Sequence, residues 1–167
     1  MNVRERIFIV LLWIAVIGMA AWFGGTLYQM LVIVPMWSPD PPESVRTFFL
    51  GTKYNETIWN FFGPPFMAAR MLPIYGALIF GFVLAKHRLW LVIAALGMTF
   101  GLVFTLLYIY PINAVLFTQA GGGRGAEEVR SLVSSWIWAD RLRFAVGCVS
   151  FLALLRALSL PVPRMHR

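Results

Sequence analysis

The sequence predicts an all-α fold: a four-transmembrane-helix bundle with a short interfacial helix in the first extracytoplasmic loop. Three observations carry that expectation. Four apolar runs, Ile7–Val34, Met67–Ala85, Leu89–Ile112 and Leu142–Leu160, fill most of the chain. Each meets or nearly meets the ~20 apolar residues that an α-helix needs to cross a hydrocarbon core. The composition agrees, with 60% hydrophobic and 13% charged residues, where soluble domains average about 25% charged. The chain then forms a single integral membrane domain over residues 1–167, with spans at about 7–34, 67–85, 89–112 and 136–160.

The first run follows Arg4 and Arg6, as a signal peptide would, but it continues unbroken to Pro35. That exceeds the 7–15 residues of a signal h-region, so it reads as a retained, tilted span. Trp37-Ser38-Pro39-Asp40-Pro41-Pro42 stops it, because proline lacks the N–H and crowds the preceding turn. Beyond it, Val45, Phe48, Phe49, Ile58, Trp59 and Phe62 form an irregular helical stripe beside Arg46, Lys53 and Glu56. A helix lying in the interface has this pattern, and so does a lid packed over the bundle. Gly63-Pro64-Pro65 then opens the second span, proline being tolerated in a first turn.

Lys86-His87-Arg88 reads as a tight basic turn between spans two and three, with His87 solvated. Gly121-Gly122-Gly123-Arg124-Gly125 is a flexible turn and not a phosphate cradle, since no strand precedes it and no Gly-Lys-Ser/Thr follows. Glu127 and Glu128 suit the positive end of a new helix. From there Val129, Leu132, Val133, Trp136, Ile137, Phe144 and Gly147 recur at helical spacing, so the fourth helix begins before the membrane and runs in. Gly97, Gly101 and Thr105, with Ala20/Gly24 and Ala21/Gly25, are small residues four apart. They let helices approach closely within the bundle, or in a homo-oligomer or larger membrane complex.

An even number of spans puts both termini on one side. Each side carries seven basic residues, but those beside the termini crowd into very short segments. Density therefore places both termini in the cytoplasm of a multi-pass protein of the plasma or inner membrane. The net charge of +7 serves orientation and contact with anionic head groups in the lipid bilayer, and no nucleic-acid partner is expected. Cys148 is the only cysteine, and His87 and His166 fall on the cytoplasmic side. No pair of them has ligand spacing, so no metal and no cofactor is expected. The spans are too few and too continuous for an inverted-repeat transporter.

Ionisable groups at membrane depth cost several kcal/mol unless paired, which makes them site candidates. Arg70 stands early in the second span; Asp140 and Arg143 share one face of the fourth helix, near the level of Asn113. In one reading Asp140 pairs with Arg143 or Arg70 to pin two helices, while Trp136 and Trp138 form an interfacial belt. In the other, Asp140, Arg143, Arg70 and Asn113, with Glu56 and Asn60, edge an outward-opening pocket. Such a pocket would hold a small hydrophobic molecule against aromatic walls.

At these residues the chain resembles the anthrone oxygenase-like family of small four-helix membrane proteins, most of them uncharacterised. The matching features are Phe23-Gly24-Gly25-Thr26-Leu27-Tyr28 running to Val34-Pro35, then Tyr110-Pro111-Ile112-Asn113, then Trp136, Asp140 and Arg143. The family pattern often has a histidine where this chain has Asp140. The resemblance implies a four-helix membrane bundle that oxidises an electron-rich polycyclic anthrone to a quinone with dioxygen, without metal or flavin. It implies Asp140 as base, Asn113 and Trp136 as substrate-placing groups, and Arg143 as the group steadying developing negative charge. The competing expectation is a non-catalytic accessory or scaffold subunit of a larger membrane complex.

Overall fold

The computed structural model describes residues 3–161; Arg164, His166 and Arg167, which the sequence places beside the cytoplasmic surface, lie outside them. Six helices follow in order: α1 (Val3–Trp37), α2 (Glu43–Gly51), α3 (Tyr54–Phe62), α4 (Pro64–Gly81), α5 (Ala85–Thr118) and α6 (Ala126–Ser159). There is no strand among the described residues. Three helices are long and apolar enough to cross a membrane: α1, α5 and α6, of 35, 34 and 34 residues and mean hydropathy 2.5, 2.2 and 1.7. These properties are those of a membrane protein. At 18 residues α4 is shorter, and it carries both Arg70 and an internal Pro73.

The four longer helices close into a ring, α1 packing on α4 and α6, and α5 on the same two. Their buried residues fall into two apolar clusters. One, around Phe8, Leu12, Met19, Ile74, Leu91 and Leu154, fills the end holding the start of α1. The other, around Trp37, Val45, Phe49, Leu116, Val133 and Trp136, fills the opposite end.

Close approach depends on glycine at several positions, Gly147 among them. A Cβ built on Gly147 would lie 2.2 Å from the ring of Trp22, which is itself buried. Gly147→Val is therefore expected to unseat the indole and to cost roughly 1–3 kcal/mol, the usual penalty for overpacking. A lower thermal unfolding midpoint in detergent would register it, and an unchanged midpoint would count against this seating.

Wide, π-helical turns interrupt two of the long helices. Gln29–Ile33 precedes Pro35 in α1, and Thr105–Ile109 precedes Pro111 in α5. A proline ring strikes the carbonyl four residues back, here Leu31 and Leu107. Widening the turn that holds that carbonyl relieves the clash. A third such turn, Ala114–Thr118, ends α5 at the glycine-rich connection.

Two expectations need correcting. His87 is not a solvated turn residue: it lies in the first turn of α5, fully buried, with its ring edge-on to Phe8 at 5.3 Å. The connection before it is shorter than the basic triplet suggests, Leu84 already donating its N–H to the carbonyl of Gly81 at 2.9 Å. The helix thus restarts early and turns His87 inward. Nor does Trp136 stand in an interfacial belt; it is 1% exposed, whereas Trp138 is 59% exposed.

The stripe over residues 45–62 forms two nine-residue helices broken at Thr52-Lys53. Val45 and Phe49 of α2 are buried against the bundle end, Phe49 stacking on Phe117 at 4.5 Å. This is the packing of a lid.

Candidate functional site

Between the two apolar clusters lies a half-open cavity of about 230 Å³. Gly97, Gly101 and Gly147 all line it, and at Gly101 the helix leaves open space, since a Cβ there would meet nothing within 4 Å. Aromatic residues wall it, Trp22 from α1, Trp59 and Phe62 from α3, Tyr110 and Phe117 from α5, and Trp136 from α6. The wide turns supply Gln29, Thr105, Ile109, Ala114 and Phe117 to the lining. Such turns recur at functional sites because they re-aim side chains that a regular helix would direct elsewhere.

The sequence-predicted residues divide. Arg70, Asn113, Trp136 and Arg143 all face this one cavity, although they come from three helices. Trp136 Nε1 donates to Asn113 Oδ1 at 2.6 Å, which fixes both side chains. Asp140 is 1% exposed and stands behind the lining, where its Oδ1 accepts a hydrogen bond from Arg143 Nη2. Arg70 pairs with no carboxylate among the described residues; its guanidinium lies over the ring of Trp22 at 5.1 Å from the centroid. Glu56 and Asn60 are both exposed and lie outside the lining.

Several polar atoms around the cavity are buried with no hydrogen-bond partner. They are Gln29 Oε1, Arg70 Nε and Nη1, Arg143 Nε and Asp140 Oδ2. Unpaired groups of this kind are rare in native interiors, and their gathering around one space marks it as a binding site candidate. Tyr54, on the lid helix α3, also belongs to this neighbourhood: burial and then the nearby Asp140 push its phenol pKa up, against a smaller opposing effect of Arg143.

Sequence reading missed Trp22, Gln29, Tyr54 and Tyr110 as site residues. Gln29 had a usable signal, an amide within an otherwise apolar run and six residues before Pro35. Tyr110 stood within the Tyr110-Pro111-Ile112-Asn113 pattern, whereas Trp22 and Tyr54 had no signal, each being one ring among many in a chain that is 16% aromatic.

Over residues 59–153 the chain matches the anthrone oxygenase family. It belongs to that family. The matched stretch runs from Trp59 on the lid helix to Ala153 in α6, and so takes in Arg70, Asn113, Trp136, Asp140 and Arg143. Trp22 and Gln29, the contribution of α1 to the cavity, precede it. No curated protein and no solved structure matches the chain. Beside this cavity runs a second, mostly apolar groove of about 350 Å³, which shares Gln29, Ile58 and Phe62 with it.

Proposed function

We propose that this protein is an integral membrane oxygenase, acting without a cofactor on a hydrophobic aromatic molecule of the anthrone type held in the cavity. The supporting observation is a half-open aromatic cavity edged by two guanidinium groups that keep unpartnered N–H donors, in a chain of the anthrone oxygenase family. In this reading α4 is a fourth span, both termini are cytoplasmic and the cavity lies towards the outer face.

The chemistry asks little of the protein beyond charge placement. A base removes a proton from the methylene carbon between two aromatic rings, leaving a delocalised anion whose oxygen carries much of the charge. Dioxygen accepts the electrons and bonds to that carbon; the resulting hydroperoxide loses water, so that one methylene and one dioxygen become one ketone and one water. Asp140 is the assigned base: from behind the lining its unpaired Oδ2 takes the proton through one intervening water. Arg143, which faces the cavity, holds the developing oxyanion; fixed donors aimed at developing charge supply a large share of catalysis in dry sites. Trp136 and Asn113, locked to each other, place the ring system.

The test is oxygen uptake by the purified protein with anthrone as probe. Uptake of one dioxygen per anthraquinone formed, above the protein-free rate, is expected. Native mass spectrometry of the gently extracted protein separates the alternatives. A retained small molecule on a lone chain or homo-oligomer supports the pocket. Stoichiometric co-purification with other membrane proteins, with no uptake, would favour the accessory subunit.

A further inference from the structure

The cavity carries a charge that nothing among the described residues balances. Arg70 of α4 and Arg143 of α6 both line it, and Asp140 is committed to Arg143. Arg70 makes no ion pair among the described residues, and its Nε and Nη1 are buried without hydrogen-bond partners. Its guanidinium lies over the face of Trp22, which steers its plane but accepts none of its hydrogens conventionally. Two cations and one carboxylate leave a single positive charge in a water-poor site, an arrangement costly unless an anion joins it. A guanidinium presents its N–H groups as a planar fork, and a carboxylate fills such a fork with two parallel bonds.

We propose that the natural ligand is a singly charged aromatic acid whose carboxylate docks on Arg70. Its ring system extends along the aromatic walls towards Arg143. This deepens the preceding reading and rests on the cavity being the ligand site. The two arginines then have separate duties: Arg70 meets a permanent charge, and Arg143 meets the charge that arises during reaction. Arg70 is thereby a specificity-determining residue, deciding which aromatic molecules enter.

The experiment compares two fluorescent probes of matched shape, anthracene-9-carboxylate and anthracene-9-methanol, titrated against the protein in phosphatidylcholine nanodiscs. The carboxylate is expected to bind roughly tenfold or more tightly than the alcohol, the usual size of a charge-assisted pair. Arg70→Gln is expected to erase that preference by weakening the carboxylate more than the alcohol, and a wild-type thermal midpoint shows that the variant is folded. Arg70→Lys keeps the charge without the fork and should retain part of the preference. Equal affinities in the wild type, or a preference that survives Arg70→Gln, would overturn the proposal and leave the aromatic cavity intact. Loss of carboxylate binding on adding phosphatidylglycerol would also overturn it, since a lipid head group would then be the anion on Arg70. If neither probe binds, the cavity itself is not the ligand site, and both readings fail together.

Discussion

Replacing Asp140 by Asn is expected to slow anthrone oxidation by about 10²–10⁴-fold, the range that a positioned general base contributes. Binding of the aromatic ligand should persist, because Asp140 stands behind the cavity lining. The variant also has a structural effect that must be separated from the chemical one. Asp140 and Arg143 have side chains only 2% and 15% exposed, so removing the carboxylate strands a buried cation. Breaking such a pair costs roughly 3–5 kcal/mol. A double variant, Asp140→Asn with Arg143→Met, removes both charges and is expected to recover most of that stability while remaining inactive. Asp140→Glu retains the charge on a longer arm and should keep some activity. Oxygen uptake at saturating anthrone, read beside the thermal midpoint of each variant, distinguishes these outcomes. Undiminished turnover in the Asn variant would remove Asp140 from the mechanism.

Gly101→Leu is expected to do the reverse, leaving the protein as stable or more so while closing the site. Glycine inside a helix is destabilising by about 0.5–1 kcal/mol relative to alanine, through backbone entropy. The new side chain would enter open space, since nothing lies within 4 Å of a Cβ at this position. That space is the cavity. Ligand affinity should therefore fall by roughly tenfold or more, against an unchanged or raised thermal midpoint. The contrast with Gly147→Val is instructive, because there the added carbons meet a buried indole. Wild-type affinity in the Gly101 variant would mean that the ligand sits elsewhere.

The sequence reveals the long helices because hydropathy is a local property, visible wherever an apolar run is long. It reveals the Asp140–Arg143 pair for a similar reason, as i,i+3 spacing on one helix puts the two side chains together. Asn113 and Trp136 are legible as expensive or amphipathic groups, but their mutual hydrogen bond joins α5 to α6 and depends on packing. What fails is orientation in the lid. The break at Thr52-Lys53 lets α3 settle independently, with Ile58, Trp59 and Phe62 towards the cavity. Glu56 and Asn60, four apart and so on a common face, are thereby directed outward. His87 fails for the opposite reason: a basic triplet suggests solvent, and only the tightness of the preceding turn draws it under Phe8. The charge imbalance at Arg70 is a property of the assembled ring and appears in no single segment.

The wide turn at Thr105–Ile109 acts as a phase shift. Gly101 and Asn113 stand twelve positions apart, which on an uninterrupted α-helix, at about 100° per residue, would set them about 120° apart around the axis. The wide turn absorbs close to one residue, leaving about eleven effective steps and a separation of roughly 20°. That is why one helix can offer its glycine gap and its asparagine to the same space. Making this turn regularly α-helical at unchanged length would give α5 a more uniform backbone, but would rotate Asn113 about a third of a turn away from Trp136 and the cavity. The helix would gain an even pitch and regain the clash of Pro111 with the Leu107 carbonyl, and the site would lose its alignment.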